Sequence, residues 1–143
     1  MSGNRETREP AHSIRVKIYY EDTDAGGVVY YANYLRYMER ARMDFFEERG
    51  VDVLGAHGEG LSYVVTRVDI RYRRPVRLGE VLQVSTEVAE LGRATMTLRH
   101  LVRRDDTLCA EATVTLACAD GRGRPRRLPP DVKRLAPPPP EGF

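Results

Sequence analysis

The chain has 143 residues, enough for one domain with a core, and its 41% hydrophobic content is ordinary for a soluble globular protein. A net charge of +2, from 23 basic and 21 acidic side chains, gives no field that would point to nucleic acid as a partner. No apolar run approaches the ~20 residues that span a bilayer, the polar start is unlike a signal sequence, and Cys109 and Cys118 are too far apart for a redox or zinc motif. The expectation is therefore a cytoplasmic protein with free thiols, no disulfide, no metal and no membrane insertion.

Residues 1–12 lack periodicity and read as a disordered leader. From Ser13, the residues Ile14, Val16, Ile18 and Tyr20 alternate with polar partners, the period of a strand with one buried face. The strand leads to Asp24, then to Gly26 and Gly27, then to a segment in which Tyr34, Tyr37, Met38, Ala41 and Phe45 share one helical face. Glu39 with Arg42, and Arg40 with Asp44, fall at helical pairing distances on the remaining surface, and Gly50 supplies a stop.

Residues 51–60, with three glycines and His57, read as a loop. Four alternating runs follow. Val64, Thr66, Val68, Ile70 and Tyr72 pattern the first, which Pro75 ends; Leu82, Val84, Thr86 and Val88 pattern the second. A turn at Leu91-Gly92-Arg93 introduces Ala94, Met96, Leu98, His100 and Val102, and Asp105-Asp106 turns the chain into Leu108, Ala110, Ala112, Val114, Leu116 and Cys118. On this alternation Cys109 points away from the core. Pro129 can start a short helix reaching Leu135, and residues 137–143 form a Pro-rich tail. The order gives an α+β fold over residues 13–136, a five-stranded antiparallel sheet curled around one long helix. Its open edge and second face, with Val65, Val81 and Leu101, would be covered by assembly into a homodimer or homotetramer.

The segment around Asp24 carries the chemistry. A carboxylate ahead of a flexible glycine turn meets the start of a helix, whose free N–H groups can hold a developing negative oxygen. The same residues equally describe a plain turn in which Asp24 caps neighbouring amides. His100 reads as a hydrogen-bonded core histidine, His57 as a loop histidine able to line a pocket, and Tyr30, Tyr34 and Tyr37 as packing residues. Arg71, Arg73 and Arg74 read as a solvated charged edge.

Tyr20-Glu21-Asp22-Thr23-Asp24-Ala25-Gly26-Gly27-Val28-Val29-Tyr30-Tyr31-Ala32-Asn33-Tyr34-Leu35, followed by Glu39-Arg40-Ala41-Arg42, closely resembles the hotdog-fold acyl-CoA thioesterases of the 4-hydroxybenzoyl-CoA thioesterase class, including the branch associated with the Tol-Pal envelope system. The resemblance covers about Ser13 to Ala119. It implies hydrolysis of acyl-CoA thioesters with no cofactor beyond the CoA of the substrate, and leaves acyl carrier protein as a further partner. It places the catalytic carboxylate on Asp24 and the oxyanion-binding amide on Tyr31, a position often histidine in the Tol-Pal branch and tyrosine in the hydroxybenzoyl branch. Glu39 matches an acidic pocket position, Gly26, Gly27 and Val28 belong to the substrate-binding turn, and Arg93 matches a basic position that contacts the nucleotide. Two other readings fit the same fold: a non-catalytic protein binding acyl carrier or envelope-biogenesis partners, and a hydratase or dehydratase of acyl thioesters.

Overall fold

A computed structural model describes residues 12–135. Strand β1 (His12–Lys17) is followed by a 3-10 turn at Tyr20–Asp22 and by the long helix α1 (Asn33–Glu48). A short helix α2 (Val53–Gly58) precedes β2 (Ser62–Tyr72), β3 (Val81–Leu91), β4 (Thr95–Arg104) and β5 (Thr107–Ala119), and a last turn of helix, α3, covers Pro130–Lys133. The five strands form one antiparallel sheet in the order β1-β3-β4-β5-β2. Helix and sheet together are the α+β hotdog arrangement that the sequence implies.

The alternation in β3, β4 and β5 sends Leu82, Val84, Val88, Met96, Leu98, Val102, Val114 and Leu116 into the interior, where the buried face of α1 meets them. Tyr34, Tyr37, Met38 and Ala41 pack with Val16, Ile18, Val29 and Val76 at one end. Phe45 and Phe46 pack at the other end, over a floor that Leu128, Val132 and Leu135 complete from the final segment. Gly50 adopts φ +77 just past the end of α1, a left-handed conformation that suits glycine at a helix stop.

Several expectations need correction. Residues 51–60 are not all loop: Asp52 accepts a hydrogen bond from the Gly55 N–H at 2.8 Å and starts α2, which buries no residue and so left no apolar period to read. Cys109 is fully buried rather than outward-facing, because Val102 pairs with Ala110 while Arg103 pairs with Leu108. Cys109 is thus the extra residue of a bulge, which breaks the strict alternation and turns it inward beside Ala110. Arg42 is buried, and Asp44 bonds to His12 rather than pairing across the helix surface with Arg40. His12, expected to end the leader, begins β1 and is buried. The rest of that leader and the tail at 137–143 lie outside the described residues.

Strand β2 is an edge, with Val64, Val65, Val68 and Tyr72 exposed and only Ile70 half-buried in its outer half. A register shift between Val65 and Arg67 leaves Thr66 out of the pairing and interrupts its alternation.

Candidate active site

The chain between β1 and α1 folds into a small hairpin with Ala25–Gly27 at its tip. The Asp24 N–H donates to the Val28 carbonyl at 2.9 Å, the Gly27 N–H donates to the Asp24 carbonyl at 3.0 Å, and Thr23 bridges Val29. Gly27 sits at φ +78 with nothing among the described residues within 4 Å of where a Cβ would lie, so it is the backbone conformation that favours glycine there. Asp24 is exposed. Its Oδ1 accepts the Gly26 N–H at 2.8 Å, while Oδ2 has no partner among the described residues. One carboxylate oxygen therefore caps the turn, and the other is available to solvent or ligand.

Asp22, two residues earlier, anchors this hairpin. Its carboxylate accepts the Tyr37 hydroxyl at 2.7 Å and the Tyr19 N–H at 2.9 Å. Its carbonyl accepts the Asn33 side-chain amide at 2.9 Å and the Tyr30 N–H at 3.0 Å. Burial, and then the adjoining Asp22 carboxylate, hold the Tyr37 hydroxyl far above the usual tyrosine pKa, so it remains a donor. Asn33 and Tyr37 lie on the first turns of α1, so these bonds fix the hairpin to the start of the helix. The Val29 N–H donates to Val76 at 2.8 Å and ties the returning arm to the segment that enters β3. No local sequence pattern marks Asp22 for this role, because the Asn33 amide and the Tyr37 hydroxyl reach it only once α1 packs against the hairpin.

Tyr31 lies just before α1. Its N–H has no acceptor among the described residues, while its carbonyl accepts the Tyr72 hydroxyl at 3.1 Å. Tyr31 is 62% exposed, its ring meets Tyr72 edge-on at 6.4 Å, and Tyr72 in turn meets Tyr34 at 5.3 Å. Burial raises the Tyr34 hydroxyl to about 12. Tyr34 and Tyr37 pack the helix, whereas Tyr30 is exposed. An unpaired main-chain N–H at the positive end of a helix, a few residues from a free carboxylate oxygen, can bind a developing oxyanion.

The remaining candidates are distributed. Glu39 and His57 line a cleft of about 480 Å³ between α1, α2 and the first half of β2, together with Arg42, Met43, Phe46, Leu54, Tyr63 and Val65. Arg93 lies exposed in the β3–β4 turn, and its carbonyl accepts the Leu128 N–H at 2.8 Å. Within one chain it is remote from Asp24, because the hairpin packs near the start of β3 and the 11 residues of that strand extend about 35 Å. Arg71, Arg73 and Arg74 are exposed, with Arg73 paired to Glu111 at 3.3 Å.

His100 is fully buried. Its Nε2 lies 3.4 Å from an Arg42 guanidinium nitrogen, and its Nδ1 lies 3.1 Å from both the Ser85 carbonyl and Thr86 Oγ1. Burial, reinforced by the Arg42 charge, lowers its pKa to about 3, so the ring is neutral and accepts from Arg42. Ligand atoms of His12, Asp44 and Glu48 lie within 4.8 Å of one another, but the 2.6 Å bond between His12 and Asp44 accounts for that grouping without an ion.

The sequence pattern of the Thioesterase-like superfamily matches residues 19–141. The acyl-CoA thioesterase YbgC of Haemophilus influenzae is 38% identical over 123 residues, covering 85% of this chain and 90% of that protein. Among solved structures, the hypothetical protein TT1821 from Thermus thermophilus superposes with a TM-score of 0.81 at 35% identity, covering 87% of this chain and 95% of the other. A probable thioesterase from Bartonella henselae gives a TM-score of 0.76 at 30% identity, covering 85% and 100%.

Proposed function

This chain belongs to the Thioesterase-like superfamily, and on that footing we propose that it hydrolyses acyl-CoA thioesters to the free acid and CoA. What supports the proposal is an Asp24 carboxylate with one oxygen free and a Tyr31 N–H without an acceptor among the described residues, at the two ends of one hairpin anchored to α1. Asp24 attacks the thioester carbonyl to give a mixed anhydride that water opens, or it takes the proton from a water that attacks directly. In either route the carbonyl oxygen gains negative charge and the Tyr31 N–H receives it, a contribution of about 3 kcal/mol for one such donor. The thiolate of CoA then leaves and takes up a proton.

Gly26, Gly27 and Val28 form the wall over which the thioester approaches, and Glu39 orients water or the acyl group from the adjoining cleft. Arg93 binds the nucleotide phosphates of CoA. Its distance from Asp24 along β3 requires the Arg93 of a second copy, so the proposal includes a homodimer or homotetramer. The exposed apolar edge of β2 supports pairing between copies. Acyl carrier protein is a second thioester donor of the same chemistry.

None of the three histidines is bonded to Asp24: His12 and His100 have the partners described above, and His57 is in the cleft, which argues for hydrolysis over hydration. Thiol release measured over a panel of acyl-CoAs tests the activity. Release of free CoA with the matching acid supports it, whereas a hydrated or unsaturated acyl-CoA, or no turnover of any thioester, contradicts it.

A further inference from the structure

Resting on the hydrolase reading, we infer that the cleft beside α1 accepts an acyl group that ends in a carboxylate and pairs it with Arg42. Arg42 is only 8% exposed, yet it forms no ion pair among the described residues. Its one side-chain hydrogen bond among the described residues is to the neutral ring of His100, which can take a single N–H of the five that a guanidinium offers, while Glu39, one turn earlier on α1, acts on it only at longer range. Burial still disfavours this charge, because the exposed Glu39 carboxylate offsets it without pairing to it directly, and the cost falls when a ligand supplies an anion in contact. Arg42 lines the cleft, so such an anion can reach it.

The surroundings define the ligand further. Met43, Phe46, Val53, Leu54, Leu61 and Leu116 line the same cleft, which suits a methylene chain behind the charged end. Of the other titratable groups facing the cleft, Glu39 and His57 are exposed, Tyr63 is half-buried with its hydroxyl pushed up and kept neutral by burial, and Glu39 lies nearer Tyr31 along α1. The deepest charge is therefore the positive one.

Between Tyr31 and Arg42 the helix direction advances about 16 Å, and an arginine side chain leans back toward the helix start, shortening the span. A thioester carbonyl at the Tyr31 N–H would thus need a medium-length chain for its terminal carboxylate to meet Arg42. The phosphates of CoA could in principle supply the same anion, and the test separates the two sources.

Steady-state thiol release compares suberyl-CoA with octanoyl-CoA, which share a chain length and differ in the terminal carboxylate. The wild-type protein is expected to favour suberyl-CoA in kcat/KM by about tenfold or more, the range of a charge-assisted hydrogen bond. Arg42→Met should abolish that preference while octanoyl-CoA is still turned over. A wild-type preference for octanoyl-CoA, or a ratio that Arg42→Met leaves unchanged, overturns the inference. So does an equal loss for both substrates accompanied by weaker inhibition by free CoA, which would assign the anion to a CoA phosphate. The wild-type ratio decides alone if Arg42→Met does not fold. If neither substrate releases thiol, the hydrolase reading has failed, and calorimetric binding of the two intact thioesters still decides: tighter binding of suberyl-CoA supports the carboxylate site, and equal affinity removes it.

Discussion

Asp22 and Asp24 are separated by one residue, lie on the same arm of the same hairpin, and differ in almost everything that determines a carboxylate's role. Asp22 is partly buried and receives four donors, including the Tyr37 hydroxyl and the Asn33 amide from α1. Asp24 is exposed and receives two, both from within its own turn, the Gly26 N–H at its carboxylate and the Gly27 N–H at its carbonyl. The first carboxylate spends its hydrogen-bonding capacity on position, and the second keeps an oxygen free, as the proposed nucleophile or base requires. The contrast teaches that a side chain on a short loop can gain its placement from a neighbour's bonds while one of its own oxygens stays free.

Asp24→Asn breaks the comparison most sharply. Removing the proposed nucleophile or base should lower kcat by about a hundred- to ten-thousandfold, while unfolding free energy from denaturant melts changes by less than about 0.5 kcal/mol, because the amide oxygen still caps Gly26. Acid comes next and acts on the core rather than the hairpin. His100 takes up a proton at about 3 when folded against an ordinary value of 6.5. The unfolded chain therefore binds the extra proton between these limits, so stability is full above pH 6.5 and is lost as pH falls toward 3, by up to about 1.4 kcal/mol per pH unit. Melting temperature followed across that window should fall, and His100→Gln should flatten the fall.

Tyr37→Phe sharpens the comparison from the other side. It removes one donor from Asp22 and should cost about 1–2 kcal/mol in a denaturant melt. Because the hairpin loosens on α1, kcat should drop with KM little changed. The smallest effect is expected from Gly27→Ala, where open space leaves only the strain of φ +78, about 1 kcal/mol by thermal melt.

Much of this was legible in the sequence, for identifiable reasons. The alternation of Leu82, Val84 and Val88, and of Met96, Leu98 and Val102, reports a sheet with one face against α1, and these residues are buried. Alternation fails where pairing does: the bulge at Cys109 inverts its side, and the bulge at Thr66 with the free edge leaves β2 exposed on both faces. The hairpin around Asp24 could be read from Gly26 and Gly27, since only special backbone positions call for such residues.

Asp22 was harder, because a carboxylate that satisfies N–H and O–H groups from Tyr19 and Tyr37 uses partners that only the folded chain assembles. Arg42 was readable in principle: it stands four residues after Met38 on the buried side of α1, but a charged side chain is ordinarily assigned to the surface. The spacing that places Arg93 far from Asp24 depends on the length and direction of β3, which no local motif records.

The most direct measurement compares kcat and melting temperature for Asp24→Asn and Asp22→Asn side by side, using one acyl-CoA that the wild-type protein hydrolyses. The expected result is crossed: Asp24→Asn melts like the wild type and loses about a hundred- to ten-thousandfold in kcat, while Asp22→Asn melts lower and keeps most of its turnover. An Asp24→Asn protein that releases thiol at the wild-type rate would contradict it.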